Sequence, residues 1–292
     1  MADKTLIEWC DASWNVITGC TPIPDEPGNP SGCSRCYARR MANRLRGRFG
    51  YPEDDPFRPG TLHLDKLHDP DGWKKPRRIF VSSMGDLFHE QVRGRDINQV
   101  WNIAFNNPRH TFMFLTKRPE RALEWTMRAA RAKYWPVEDI WPDWMWLGVT
   151  AENQKRANER IPILLQIPAA VRFVSIEPML GPVDIDQGLR GYPRQVSERE
   201  YVTREMALDA EEPSLEGELL SEERWEQTCS PIDWVIVGAE TGPRKRPMKT
   251  EWALDVRDQC ESAGVPFFFK KDSLGKHTLD GKTYEQFPAP LH

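Results

Sequence analysis

The chain has 292 residues, of which 39% are hydrophobic and 29% are charged, and its formal net charge is −4. This length suits one large α/β domain, and so high a charged fraction excludes a protein embedded in a membrane. No stretch approaches the roughly 20 apolar residues of a spanning helix, and the N-terminus lacks the layout of a secretory signal. We therefore expect a cytoplasmic protein that has no membrane partner.

Short apolar runs recur along the chain and are rich in the β-branched and aromatic residues that strands favour. A first strand or extended segment is predicted around Trp14–Thr18. The runs lack a clean alternation of apolar and polar residues, which is typical of parallel strands covered on both faces. Further strands are predicted at Ile79–Ser83, Thr111–Thr116, Trp146–Thr150, Arg172–Ile176, Trp234–Gly238 and Pro266–Lys270.

Charged segments with helical spacing separate these runs. They predict crossover helices at Asp96–Asn106, Pro119–Ala132, Asn153–Gln166 and Glu251–Ala263. Alternating strands and helices indicate a parallel sheet, either open or rolled into a barrel. We predict a single α/β domain over residues 1–292, built as a parallel, TIM-like (β/α) barrel that is partial or complete.

The strand–helix pattern is interrupted between Asp186 and Glu226, a segment with 12 acidic and 5 basic residues. We interpret residues 186–226 as an acidic insertion between two barrel strands. It is either a solvated appendage or an element that covers the site or docks a partner. Two basic runs, Lys74–Arg78 and Arg244–Arg246, are each typical of a solvated surface when taken alone, although Arg244 could reach a phosphate.

Three cysteines near the N-terminus form the strongest chemical signal. Cys20 is followed by 12 residues, then by Cys33, two residues and Cys36. The close pair can bind one metal centre from a single turn, and the loop Thr21–Ser31 can return Cys20 to it. Clustered cysteines in a reducing compartment more often ligate metal than form disulfides. Thiolate softness restricts the metal to an iron–sulfur centre, zinc or copper.

The number of cysteines bears on which metal is bound. A closed zinc site needs a fourth ligand, which would come from Cys10, His63, His68 or His89, none of them at finger-like spacing. Three thiolates on a four-iron cluster leave one iron open, and an open iron can chelate the amino and carboxyl groups of S-adenosylmethionine. We favour the cluster, and zinc or unligated thiols remain the alternatives.

Polar residues follow the predicted strands, where the carboxyl ends of barrel strands carry the active site. Asp86, assisted by Ser83, is a candidate acceptor for the cofactor's ammonium, or else the N-cap of a helix that starts at Leu87. Thr116 and Lys117, with Arg118, are candidates for binding a carboxylate or phosphate, or are surface residues. The remaining cofactor candidates, Thr150, Glu152 and Asn153, suit ribose hydroxyls or a capping box that opens the next helix.

Two carboxylates and one lysine are the candidates for catalytic residues. Glu177 and Glu240 each end an apolar strand, where an unpaired carboxylate is costly unless it meets a cation, a hydroxyl or a ligand donor. Lys270 ends the last predicted strand and is expected to pair with one of them or to contact the substrate.

The residues around the cysteines, Trp14-Asn15, Thr18–Cys20 and Gly32–Ala38, resemble the start of a phage-associated three-Cys-motif family of largely unknown function. Only the acidic insertion stands outside the match. The resemblance continues through Ser83–Phe88, Leu115–Glu120, Gly148–Thr150, Ser175–Gly181, Val237–Pro243 and Gly264–Lys270.

That family in turn resembles radical S-adenosylmethionine enzymes. The resemblance implies a radical SAM-type barrel, a 4Fe-4S cluster on Cys20, Cys33 and Cys36, and S-adenosylmethionine as cofactor or cosubstrate. It also implies an electron donor such as flavodoxin or ferredoxin, and a nucleotide, nucleobase or DNA substrate. The chain departs from the commonest pattern because its first cysteine loop is expanded, as in 7-carboxy-7-deazaguanine synthases. The usual aromatic residue precedes the third cysteine, whereas Tyr37, which we include among the cofactor-binding candidates, follows it.

The leading hypothesis is an enzyme that reductively cleaves S-adenosylmethionine to a deoxyadenosyl radical and uses it on a substrate. One alternative is a non-enzymatic metal-binding module that holds zinc or a structural cluster and contacts nucleic acid or a protein. A second is a barrel that keeps its cysteines without the chemistry and acts through a partner docked on the acidic insertion.

Overall fold

The computed structural model describes residues 5–133, 135–191 and 231–289. Its strands are β1 (Ala12–Trp14), β2 (Ile17–Thr18), β3 (Thr61–Leu62), β4 (Arg78–Val81), β5 (Thr111–Thr116), β6 (Met145–Thr150), β7 (Arg172–Ile176), β8 (Trp234–Val237) and β9 (Phe267–Phe269). Its helices are α1 (Tyr37–Arg44), α2 (Asp69–Gly72), α3 (Gly94–Phe105), α4 (Pro119–Lys133), α5 (Gln154–Leu164), α6 (Asp186–Arg190) and α7 (Thr250–Ala263).

Seven of these strands form one sheet in the order β1-β4-β5-β6-β7-β8-β9, and every neighbouring pair is parallel. The sheet curls into a half-barrel. Within the described residues β1 pairs only with β4 and β9 only with β8, so these two edges do not close the barrel. The predicted α/β fold is thus confirmed in its partial form. The antiparallel pair β2–β3 lies beside the sheet.

The two faces of the sheet carry different apolar residues. Ile79, Phe112 and Met145 are in register across β4, β5 and β6 and belong to a large core that includes residues of α3, α4, α5 and α7. Helices therefore cover this face. The opposite face forms a second cluster in which the buried Trp9 packs on Phe80 with ring centroids 4.7 Å apart. This second cluster fills the concave side of the half-barrel, as expected for parallel strands buried on both faces.

The predicted elements agree closely with the structure. Strands β5 and β7 have the predicted bounds, the other four predicted β-segments after Trp14–Thr18 overlap observed strands, and all four predicted crossover helices are present. The segment Trp14–Thr18 is divided, because its start ends β1 of the main sheet while Ile17–Thr18 pairs with Thr61–Leu62. Helix α1 was not predicted.

Only the beginning of the predicted acidic insertion can be described. Asp186–Arg190 forms the short helix α6, in which Arg190 Nε pairs with Asp186 at 2.9 Å. Residues 192–226 lie outside the described residues. Among the helices that the structure describes, none combines the length and apolar character needed to cross a membrane.

Candidate functional site: a cysteine-lined cleft at the carboxyl edge of the sheet

A cleft opens at the carboxyl ends of the parallel strands. Its empty volume is about 1090 Å³, including the part open to solvent, which is at the upper end for small-molecule sites. Among the predicted site residues, only Glu152 and Asn153 are absent from its lining. The others all line it: Cys20, Cys33, Cys36, Tyr37, Ser83, Asp86, Thr116, Lys117, Thr150, Glu177, Glu240 and Lys270.

Cys20 is positioned by a close approach of two backbone segments. The Gly19 N–H donates to the Met84 carbonyl at 3.0 Å. Gly19 has φ +84°, and a Cβ built on it would lie 1.9 Å from the Arg58 carbonyl oxygen. Gly85 faces Gly19 so closely that a Cβ there would lie 3.0 Å from the Gly19 oxygen. Only glycine satisfies both the conformation and the space at position 19, so this contact holds Cys20 beside the end of β4.

Cys33 and Cys36 are presented from one turn, as the spacing predicted. A 3₁₀ turn spans Gly32–Arg35, and the Ser31 hydroxyl accepts from the Cys33 N–H at 3.0 Å. The Cys36 N–H donates to the Cys33 carbonyl at 3.2 Å, and Cys36 is the N-cap residue of α1. A local sequence pattern therefore fixes how this pair faces the cleft.

The three thiols share one cleft without converging on a point. Within residues 5–133, 135–191 and 231–289, no group of three or more His, Cys, Asp and Glu side chains is close enough to hold a single metal ion. The side chains considered as a fourth zinc ligand have other environments: His63 contacts the Thr18 hydroxyl at 2.8 Å, His68 pairs with Asp71, His89 accepts from the Thr21 N–H at 3.2 Å, and Cys10 lies in the inner cluster. The described residues thus form no closed zinc site.

Asp86 is saturated by donors from the protein. Its Oδ1 accepts from the Phe88 N–H at 3.0 Å and from the Thr116 hydroxyl at 2.8 Å. Its Oδ2 accepts from the Lys117 N–H at 3.1 Å and pairs with Arg118 Nη1 at 3.2 Å. These four bonds join the ends of β4 and β5. The carboxylate and the Thr116 hydroxyl therefore build the wall of the cleft.

The expected N-cap role of Asp86 is wrong. The described helix after it, α3, begins only at Gly94, and residues 87–93 form turns. The Asp86 carboxylate instead caps a local turn through its bond to the Phe88 N–H. An aspartate two residues before a free N–H favours such a turn as readily as a helix.

Arg118 connects this network to a cysteine, a link that the sequence did not indicate. Its Nη1 lies 3.4 Å from Cys20 Sγ, and its Nη2 donates to the Thr21 carbonyl at 3.1 Å. Its Nε pairs with Glu90 at 2.8 Å. Burial raises the pKa of the Cys20 thiol to about 12, with a contribution from the Asp86 carboxylate, and Arg118 opposes that rise. Arg118 is thus a donor aimed at the first cysteine.

Glu152 and Asn153 hold the cysteine loop rather than line the cleft. Glu152 is fully buried, pairs with Arg160 Nη1 at 2.8 Å, and accepts from the Gly32 N–H at 3.3 Å. Burial raises the pKa of Glu152, but the cations Lys117 and Arg160 outweigh it, so the net pKa is lowered.

Asn153 makes the second attachment. Its side-chain oxygen caps α5 by accepting from the Arg156 N–H at 3.1 Å, which agrees with the capping interpretation of this segment. Its Nδ2 donates to the Pro30 carbonyl at 3.0 Å. Glu152 and Asn153 together therefore fasten the segment immediately before Cys33 to the end of β6.

The catalytic candidates are engaged in ion pairs at the cleft. Lys270 pairs with Glu177, as the sequence suggested, and lies 3.6 Å from Glu8 Oε2. Burial lowers the pKa of Lys270, yet the Glu177 carboxylate outweighs it and holds that pKa above its ordinary value. Lys270 therefore carries its proton at neutral pH.

Glu240 is held by arginines. It accepts from Arg246 Nε at 3.1 Å and from the Arg246 N–H at 2.7 Å, and it lies 3.5 Å from Arg35 Nη1. Burial raises the pKa of Glu240, but the bonds from Arg246 outweigh it and leave the pKa lowered. Arg246 also donates to the Ser31 carbonyl at 3.0 Å, so this pair ties the loop after β8 to the cysteine loop.

Two further candidates differ in how they are bound. The Tyr37 hydroxyl donates to the Ser83 carbonyl at 2.5 Å, and the Ser83 hydroxyl bonds Asn15 at 3.0 Å. Lys117 lines the cleft, and in the described part of the chain its ammonium makes no ion pair within 4.0 Å. Lys117 is therefore a cation that can serve a ligand.

A parallel half-barrel with a cleft lined by three cysteines defines the class of this protein by fold and site. The chain belongs to the family described as "Protein of unknown function (DUF5131)", whose model matches residues 4–288. No curated protein and no solved structure matches the chain.

Proposed function

We propose that this protein is a radical S-adenosylmethionine enzyme. The observation that carries the proposal is that Cys20, Cys33 and Cys36 line one cleft at the carboxyl edge of a parallel half-barrel. The carboxyl ends of the strands are where barrel enzymes hold their reactants. The fold would then be of the radical SAM type, and the phage-associated three-Cys-motif family would supply its nearest kin.

The donor set fits a four-iron cluster better than it fits a single ion. Thiolates on a cluster bind separate iron corners, so they need to surround a cavity and not to meet at one point. The described residues offer three thiols around a cavity and no fourth ligand. A bound 4Fe-4S cluster with one open iron would chelate S-adenosylmethionine and pass it one electron, which breaks the sulfonium bond and leaves methionine and a 5′-deoxyadenosyl radical.

The chain's own residues have distinct parts in this proposal. Lys117 can pair with the cofactor's carboxylate, since its ammonium faces the cleft without an ion-pair partner among the described residues. The hydroxyls of Thr150 and Ser175 line the same cleft and can bond to ribose. Glu152 and Asn153 act as positioning residues, because they hold the loop that carries Cys33.

The floor of the cleft is suited to a reactive radical. Trp9, Phe80 and Leu115 line its inner side, and the first two are almost fully buried. An apolar floor excludes water from the reacting centre and so limits side reactions. The ion pair of Glu177 and Lys270 borders this floor and is the proposed place for polar contact with the substrate.

The reaction requires one electron for each cleavage, which the chain itself does not supply. A flavodoxin or ferredoxin is the proposed donor. In vitro, dithionite replaces it, so the chemistry can be tested without knowing the partner or the substrate.

The test is anaerobic reconstitution with iron and sulfide, reduction with dithionite, and measurement of 5′-deoxyadenosine formed from S-adenosylmethionine. Wild type should form it, and Cys36→Ala should not. Cys260→Ala is the matched control, because Cys260 is buried in α7 away from the cleft lining. Bound zinc in place of iron would overturn the proposal in favour of a metal-binding module, and an intact cluster without cleavage would favour a barrel that has lost its chemistry.

A further inference from the structure

Two segments beside the cleft are strongly basic. Residues 35–48 contain six arginines, and residues 241–249 contain four Lys and Arg residues, while neither segment contains Asp or Glu. The whole chain has a formal net charge of −4, so this positive charge is a local concentration. We call residues 35–48 and 241–249 together the arginine surface.

The two segments form one continuous surface. Arg40 Nη2 donates to the Thr241 carbonyl at 3.4 Å, and Arg35 Nη1 donates to the Arg244 carbonyl. A Cβ on Gly242 would lie 2.2 Å from Arg40 Nη2, so the loop after β8 lies directly against α1. The charges of both segments therefore act on the same ligand.

Most of this charge is not neutralised by carboxylates. Arg40, Arg46 and Arg48 donate to backbone carbonyls, which leaves their charge in place. Glu240 pairs with Arg246 and Arg35, but its side chain is only 3% exposed and contributes little to the surface. Arg39 and Arg44 are exposed, and in the described ranges no carboxylate lies within 4.0 Å of either guanidinium.

Aromatic and apolar side chains are interleaved with the arginines. Phe49 is 70% exposed, and Tyr37 is 43% exposed and lines the cleft. Exposed rings beside a basic track are the means by which proteins bind single-stranded nucleic acid, because bases stack on the rings while cations bind the phosphates. An acidic protein partner would use the charges but has no need of the rings.

We propose that the arginine surface binds the phosphate backbone of a single-stranded or locally opened nucleic acid, and that the cleft receives one unstacked base. Arg35 and Tyr37 belong to both the surface and the cleft lining, so a strand on the surface passes the cleft mouth. A base must leave its stack to reach an enclosed site. The inference rests on the proposed function only for the chemistry that follows binding.

The test is fluorescence anisotropy with a labelled 20-nucleotide single-stranded DNA, the matching RNA and the matching duplex, over a range of salt concentrations. Arg39→Gln/Arg44→Gln removes two charges from the surface. Lys74→Gln/Lys75→Gln is the matched control, since it removes two exposed charges just before β4, at the amino edge of the sheet. Thermal melting of both variants checks that they fold.

We expect one of the single strands to bind more tightly than the duplex. Arg39→Gln/Arg44→Gln should bind about tenfold more weakly at low salt and lower the salt slope by about 1.4, since each phosphate contact on a single strand contributes about 0.7. The control should bind like wild type. Equal losses in the two variants, or no loss in either, would overturn the proposal.

Two further arms separate this inference from its neighbours. Unlabelled polyglutamate that displaces the strand as well as unlabelled DNA does would overturn it in favour of an acidic protein partner. Binding is also measured with Cys36→Ala, which lacks one proposed cluster ligand but keeps the surface. Binding retained by Cys36→Ala supports the surface whatever the outcome of the cleavage assay, whereas loss of binding there alone would show that the surface is not the binding element.

Discussion

Arg160 donates from Nη1 to Glu152 at 2.8 Å, and both side chains are at least 95% buried. The same carboxylate accepts the Gly32 N–H, one residue before Cys33. A buried ion pair in the half-barrel is thus joined directly to the loop that carries the proposed cluster ligands.

Replacing Arg160 with glutamine should destabilise the protein strongly. The change leaves the Glu152 carboxylate buried without its partner, and removing one member of a buried pair costs about 3–5 kcal/mol. Denaturant unfolding measures the effect. Arg128→Gln is the control, because its pair with Glu124 is exposed and should contribute no more than about 1 kcal/mol. Equal effects of the two substitutions would show that the Glu152 pair does not support the loop.

Gly19→Ala should destabilise the protein and reduce the iron bound after reconstitution. The new Cβ would collide with the Arg58 carbonyl at a backbone φ of +84°, and overpacking together with left-handed strain should cost about 3 kcal/mol or more. Gly275→Ala is a close control, since Gly275 has φ +87° with open space around its Cβ. It should cost only about 1–2 kcal/mol and leave iron loading as in wild type. Full iron loading in Gly19→Ala would mean that Cys20 does not depend on this contact.

His63 should make the stability of the fold depend on pH. Burial lowers the pKa of His63 from 6.5 to about 4. As the pH falls, the unfolded chain takes up the proton first, so the stability contributed by neutral His63 is complete above pH 6.5 and is lost as the pH falls towards 4. Between pH 7 and pH 5, wild type should lose about 2 kcal/mol more than His63→Gln, which keeps a hydrogen-bonding group but does not titrate. Denaturant unfolding at the two pH values decides the matter, and parallel losses would contradict the assignment.

Lys117→Met should weaken the binding of S-adenosylmethionine by about tenfold, since a hydrogen bond to a charged group contributes about 1.5–3 kcal/mol. Isothermal titration of the reconstituted protein measures the affinity. Iron content should be unchanged, because Lys117 contacts none of the cysteines through a described hydrogen bond. Lys75→Met removes an exposed ammonium before β4 and should leave the affinity as it is. An unchanged affinity in Lys117→Met would place the cofactor's carboxylate elsewhere.

The strands and crossover helices could be predicted from the sequence because their apolar runs and periodicities are local. Thr111–Thr116 and Arg172–Ile176 were predicted to the residue. The single turn that presents Cys33 and Cys36 was equally readable, since two intervening residues permit little else. Strand-end positions could also be collected at one edge once a parallel sheet was assumed.

The distribution of roles within the site could not be predicted, because it depends on partners distant in sequence. Asp86 and Glu152 carry the same chemistry as free ligands would, yet Arg118 and Arg160 bind them inside the protein. Nothing local to Arg118 indicates that its guanidinium reaches Cys20, which is 98 residues away in sequence. Helix α1 was also missed, since its five polar or charged positions among eight resemble a loop.

The most direct test of the central claim is the electron paramagnetic resonance spectrum of the reconstituted, dithionite-reduced protein, recorded with and without S-adenosylmethionine. We predict the signal of a reduced four-iron cluster that changes when S-adenosylmethionine is added, is retained by Cys260→Ala, and is lost in Cys36→Ala. A protein that binds zinc and gives no such signal, or a cluster signal that S-adenosylmethionine leaves unaltered, would contradict the claim that these three cysteines hold a cluster with an open iron.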